Sequence, residues 1–237
     1  MKSVQDFYDQ QWKSSEGDIF SLAFTQAIGR SYSFLGELNG KSILEIGCGS
    51  GEQAVHFAQR GGLVTVIDIS AESLNSTSQL AGREKVKLKT MLMNAQELKF
   101  PAESFDLVYI NSTMMHVDQL RVFAECSRVL KKGGKLVILE PLQFAPLVRL
   151  YRLFSSYRKM KPHYMTFTML KEGGKYFSGF RHEEFYLFSS LLLPVFSLRM
   201  RWLHRMYHAV AWVDRGLLRV FSRLRYGCWV CVAQYQK

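Results

Sequence analysis

Residues 43–53 read Ile-Leu-Glu-Ile-Gly-Cys-Gly-Ser-Gly-Glu-Gln. An apolar run breaks into three alternate glycines, Gly47, Gly49 and Gly51, and a helical pattern follows at Gln53 to Gln59; the stretch reads as a strand, a tight turn and a helix start. Glycine permits positive φ and lets a ligand reach the main chain without meeting a Cβ. A turn between a parallel strand and a helix N-terminus is also where open α/β sheets bind nucleotides, because N–H groups and the helix dipole point into the crevice.

The sequel narrows the ligand. After Gly61-Gly62 comes a second apolar strand, Leu63-Val64-Thr65-Val66-Ile67, ending in Asp68. An acidic residue there, about 20 residues beyond the glycine turn, is placed to accept hydrogen bonds from ribose hydroxyls. The glycine spacing is Gly-x-Gly-x-Gly rather than the Gly-x-Gly-x-x-Gly that packs a dinucleotide pyrophosphate, and Glu45 lies inside the first strand just before the turn. Both features disfavour a nicotinamide dinucleotide and leave a nucleoside-binding domain.

With these residues the chain resembles the class I S-adenosylmethionine-dependent methyltransferases, and more narrowly the ubiquinone/menaquinone-biosynthesis-type (methyltransferase type 11) subgroup. The resemblance runs from about residue 35 to residue 141, in four blocks of the family's order. It implies that Glu45, Gly47, Cys48, Gly49 and Gly51 cradle the methionine part of S-adenosylmethionine, and that Asp68, with Ile69 beside it, holds the ribose. Asn94-Ala95, leading through Phe100-Pro101 to Ser104-Phe105-Asp106, matches the segment that flanks adenine; relatives often carry Asp where this chain has Asn94, so the amide oxygen would take over that bond. Asn111 and Ser112 fall where the family places the methyl group, and Leu130 to Pro141 matches a helix end, glycine turn and fifth strand. Phe7-Tyr8-Asp9-Gln10-Gln11-Trp12 resembles a lid helix whose Tyr8 would close over the cofactor.

The residues read for themselves agree. Near-continuous apolar runs at 43–46, 63–67, 105–110 and 135–140 suit strands buried on both faces, and alternate with helical patterns, as right-handed βαβ units require. Val86 to Met91 alternates with lysines and reads as an edge strand, 226–236 as a final antiparallel strand, and the sixth strand falls between Lys175 and Leu193. The expected fold is α/β: a Rossmann-like, seven-stranded, mostly parallel sheet with helices on both faces and a helical basic cap. Its expected parts are a lid over 1–34, a core over 35–145, a basic aromatic cap over 146–225 and the last core strand over 226–237.

Cysteine and hydropathy bound the class. Cys48, Cys126, Cys228 and Cys231 form no secreted disulfide framework, and residues three apart on a strand point to opposite faces, which argues against a metal or redox site at Cys228 and Cys231. No metal is expected. The N-terminus lacks an apolar signal core, and no run reaches the about 18 apolar residues of a membrane span, so a cytoplasmic location is expected.

Charge carries a second message. Residues 146–225 hold 15 Lys/Arg against 4 Asp/Glu, or +11, while the rest of the chain holds 16 of each and sums to zero. From Trp202 to Phe221 apolar residues recur every three or four positions among arginines, an amphipathic helix suited to an anionic membrane surface, an acidic substrate, RNA, or simple packing on the sheet edge with solvated arginines.

The expected reaction transfers a methyl group from S-adenosylmethionine to O, N or C of a small or lipid-linked metabolite, with His116 and Glu140 as candidate base or orienting group. Glu140 is equally suited to holding a loop through backbone N–H groups. His163, Tyr164 and His182, in the basic region, are further candidate substrate contacts. An RNA methyltransferase is the first alternative, although no Asn-Pro-Pro-Tyr-like sequence follows the fourth strand; a non-catalytic S-adenosylmethionine-binding regulator is the second.

Overall fold

The computed structural model describes residues 24–146, 149, 162–192 and 201–237. Seven strands form one sheet in the order β3-β2-β1-β4-β5-β7-β6. They are β1 (Ser42–Ile46), β2 (Leu63–Asp68), β3 (Lys89–Leu92), β4 (Phe105–Asn111), β5 (Leu130–Pro141), β6 (Gly179–Phe185) and β7 (Val230–Gln236). The pairs β1–β2, β1–β4, β2–β3 and β4–β5 are parallel, and β7 lies antiparallel between β5 and β6. The strand order reverses between β1 and β4, and open α/β sheets bind ligands in the crevice at that reversal, beyond the strands' carboxyl ends.

Helices cover both faces, each side burying one apolar layer. On one face α1 (Thr25–Leu35) and α2 (Glu52–Gln59) pack Ala27, Phe34, Ala54 and Phe57 against Val66, Tyr109 and Val137. On the other, α4 (Gln119–Val129) and α5 (Phe167–Gly174) pack Val122, Phe123, Cys126 and Leu170 against Ile46, Ile110 and Ile138. Local chemistry starts the helices where the strands end. The Ser70 hydroxyl accepts from Ser73 N at 3.1 Å to begin α3 (Ala71–Arg83), and the Asp118 carboxylate accepts from Arg121 N to begin α4.

Several expectations need correction. The third strand begins at Lys89 rather than Val86, because Lys85 takes positive φ and Val86 N is spent on Ala81 O at the end of α3. The last strand begins at Val230; Ser222–Gly227 coil into a 3-10 turn first. The span 146–225 includes β6, a strand of the sheet itself: Arg30 of α1 pairs with Glu183, and the Arg181 guanidinium lies over the Phe34 ring and donates to Gln234. Likewise α1, within the span expected as a lid, is buried against the sheet, while residues 1–23, including Tyr8, lie outside the described residues.

Cys228 precedes β7, so the opposite-face argument does not apply: both Cys228 and Cys231 are buried in the same apolar layer. Burial pushes both thiols up, and both cysteines are free. Among the described residues no group of His, Cys, Asp and Glu could hold a metal ion, and no helix is long and apolar enough to cross a membrane.

Candidate functional site

The carboxyl ends of β1, β2, β3, β4 and β5 meet at one rim, and each delivers a loop there. The β1 loop is the glycine turn. Gly47, Gly49 and Gly51 all have positive φ, at 75°, 53° and 85°. At Gly47 the requirement is steric as well, because a Cβ would lie 2.0 Å from the Thr113 hydroxyl of the β4 loop. Gly51 ends the turn as the N-cap of α2, and a Cβ there would meet Thr77 at 2.7 Å.

Asp68, at the tip of β2, is tied to that turn. One oxygen of its carboxylate accepts from Cys48 N at 3.0 Å and from the Cys48 thiol at 3.6 Å, and the other accepts from Ser70 N at 2.9 Å. Burial raises its pKa from the ordinary carboxylate value, against the lowering effect of these N–H donors. The Cys48 thiol is buried beside Asp68, and burial and that carboxylate push it up.

Glu45 sits one row below on the same face. It is buried, burial and Asp68 hold its carboxyl well above the usual range, and its Oε2 has no partner among the described residues. A buried carboxyl oxygen without a partner, beside positive-φ backbone too crowded for a side chain, is what a site for a polar cofactor head group presents.

The β3 loop follows directly: Met93 N donates to Asp68 O, which sets Asn94 and Ala95 beside Asp68 and Ile69. The Asn94 Oδ1 accepts from Gln96 N at 3.0 Å, so the amide is held by its own turn, and Ala95 is buried beneath it. At the end of β4, Asn111 and Ser112 are partly buried, the Ser112 hydroxyl donates to Asn111 Oδ1, and Ser112 takes φ 54°.

Glu140 closes the arrangement from β5. It is fully buried, and its Oε1 accepts from Thr113 N at 2.8 Å and Met114 N at 2.9 Å. Burial pushes its pKa up to about 8, although the two donors oppose the shift. It fixes the β4 loop from inside. His116 ends the 3-10 turn Met114–His116 on that loop, partly buried, and burial lowers its pKa to about 4. The stretch 162–165 crosses this turn: His163 N donates to Met115 O, and the Gln119 amide donates to His163 O. His163 and Tyr164 therefore lie beside His116, whereas His182 lies on β6 level with Ile138, below the rim and paired with Glu184.

Thr113 was not singled out from the sequence. It contacts three parts of the rim, donating toward Ile46 O at 3.4 Å and Asn111 O at 3.2 Å and filling the space over Gly47. The signal was the polar triplet Asn111-Ser112-Thr113 directly after an apolar strand.

Comparison with known proteins points the same way. Residues 44–138 match the family of methyltransferase domains. Over 122 residues the chain is 35% identical to a demethylmenaquinone methyltransferase of Tropheryma whipplei, covering 49% of this chain and 50% of that one. Over 100 residues it is 29% identical to a ubiquinone biosynthesis O-methyltransferase of Coxiella burnetii, covering 42% and 43%. The chain thus spans about half the length of the curated relatives it matches. Among solved structures, the geranyl diphosphate C-methyltransferase of Streptomyces coelicolor superposes with a TM-score of 0.65 at 16% identity, over 90% of this chain and 78% of that one.

The order of strands and the glycine turn are those of the class I, S-adenosylmethionine-dependent methyltransferase fold, and residues 44–138 match the methyltransferase-domain family. Within that class the resemblance is to the quinone-biosynthesis type.

Proposed function

We propose that this protein transfers a methyl group from S-adenosylmethionine to oxygen, nitrogen or carbon of a small or lipid-linked metabolite in a biosynthetic pathway. The observation that carries the reading is the joining of the glycine turn to Asp68 through Cys48 N, with Asn94 and Asn111 on the same rim. The acceptors printed in the relatives' names, a demethylmenaquinone and geranyl diphosphate, suggest the acceptor class.

S-adenosylmethionine brings an activated methyl group, which leaves the protein to align an acceptor and exclude water. In this reading the backbone of Gly47–Gly51 and Glu45 take the methionine end, Asp68 and Ile69 the ribose, and Asn94 and Ala95 the adenine. Asn111 and Ser112 border the methyl group. His116, neutral at physiological pH, accepts a proton from or orients the acceptor. Glu140 is a positioning residue: it holds the backbone of Thr113 and Met114, and through it the loop that carries His116. A lipid-linked acceptor is met at a bilayer surface, so the enzyme works in the cytoplasm with peripheral contact to a membrane.

The test is incubation with radiolabelled methyl donor and a panel of quinol and prenyl acceptors, scored by label in the organic extract. Label recovered only in RNA, or in nothing while S-adenosylhomocysteine still binds, would overturn the assignment in favour of the RNA or regulator alternatives.

A further inference from the structure

Helix α6 (Arg201–Val220) carries two different surfaces. Tyr207, Ala211 and Asp214, spaced by four and three, face the core and are buried. Asp214 is the only acidic residue of the helix. It is 1% exposed, and its carboxylate accepts from Leu187 N, Phe188 N, Ser189 N and the Ser189 hydroxyl at 2.7–3.1 Å. The helix's one negative charge is thus turned inward and consumed in fixing α6 to the turn after β6.

What remains outward is apolar and cationic. Met206, Val213 and Val220 recur every seven residues, which is nearly two full turns, so they form one stripe; they are 45%, 49% and 73% exposed. Arg205, Trp212 and Arg219 form a second stripe at the same spacing, one residue round the helix, and Trp212 is 70% exposed. Beyond the helix the pattern continues: Phe221 and Tyr226 are exposed, and Arg223, Arg225 and Tyr226 line a cleft. Large exposed apolar side chains beside arginines, with no outward acid, are costly in water and suited to a headgroup boundary. There the apolar stripe enters the acyl region, Trp sits at the interface and Arg meets phosphate.

We infer that the outward face of α6 is a docking surface for an anionic phospholipid bilayer. The inference deepens the reading of a lipid-linked acceptor and rests on it for its purpose, while its evidence is the surface of α6 and the confinement of the chain's +11 to residues 146–225. Lipid is favoured over RNA because the outward arc contains valines and methionine that no phosphate backbone would cover.

The experiment is sedimentation of the full chain with vesicles of mixed phosphatidylglycerol and phosphatidylcholine, and of phosphatidylcholine alone. Wild type is expected to sediment with the anionic vesicles only, with a blue shift of tryptophan emission that Trp212→Phe reduces. Arg205→Glu with Arg219→Glu is expected to weaken partition on the order of thirty-fold or more, at about 1 kcal/mol for each arginine lost. Circular dichroism and S-adenosylhomocysteine calorimetry on the same variants are expected to be unchanged, which separates failure of docking from failure of the cofactor site. Equal sedimentation with both vesicle types, an unaffected double variant, or salt-sensitive RNA retention without vesicle binding would each overturn the inference.

Discussion

Replacing Glu140 separates its two candidate roles. Its Oε1 serves two backbone donors at once, Thr113 N and Met114 N, inside a fully buried site. Alanine would strand both, and at about 1.5 kcal/mol for each unpaired N–H about 3 kcal/mol in all is expected. In a domain of this size 1 kcal/mol moves the melting midpoint by about 2–4 °C, which predicts a drop of about 6–12 °C for Glu140→Ala.

Glutamine retains an acceptor oxygen for both donors, so Glu140→Gln should fold, bind S-adenosylhomocysteine and turn over at near the wild-type rate. It should also change the pH dependence of stability. The folded protein holds the Glu140 proton up to about pH 8, whereas an unfolded chain releases it near about pH 4.3. The group's contribution is therefore complete below about pH 4.3 and is lost as pH rises through about 8; Glu140→Gln, which cannot ionise, should flatten that slope. Thermal melts across this window, with calorimetry and a labelled-methyl assay, read all three effects. A Glu140→Gln variant that folds and binds cofactor but has lost turnover would make Glu140 a catalytic group and refute the loop-holding role.

Other expectations follow from the same rim. Gly47→Ala should lower S-adenosylhomocysteine affinity at least tenfold in calorimetry, since positive φ costs about 1–2 kcal/mol and the new Cβ displaces Thr113. His116→Ala should reduce kcat with little change in the KM for S-adenosylmethionine; if His116 is the base, the acid limb of the wild-type rate profile should fall near pH 4 rather than at the ordinary histidine value. Asp214→Ala should destabilise the protein by about 3–5 kcal/mol in urea unfolding, because three backbone N–H groups and a hydroxyl lose their acceptor together.

The central strands were legible because strands buried on both faces leave near-continuous apolar runs that alternate with helical patterns. Glycine alternation and the terminal Asp68 then marked the rim. The edges were harder for a physical reason. β6 reads Gly-Phe-Arg-His-Glu-Glu-Phe, a half-exposed edge strand whose charges pair with Arg30, Gln234 and one another, so no apolar period marks it. The α6 register was equally hidden: the obvious apolar stripe through Met206 and Val213 is largely exposed, and the buried line runs through Tyr207, Ala211 and Asp214 instead. An aspartate in the buried line is intelligible only once the backbone donors of residues 187–189 are in view. Glu140 shows the same limit, since sequence left catalysis and loop support equally open and only the positions of Thr113 N and Met114 N favour support.

Calorimetric titration of the wild type and Asp68→Asn with S-adenosylhomocysteine tests the cofactor site most directly. Micromolar binding by the wild type, weakened at least tenfold in a variant that melts within a few degrees of it, is the predicted result. Absence of binding by the wild type, or equal affinity in the two proteins, would contradict the assignment of this rim as the S-adenosylmethionine site.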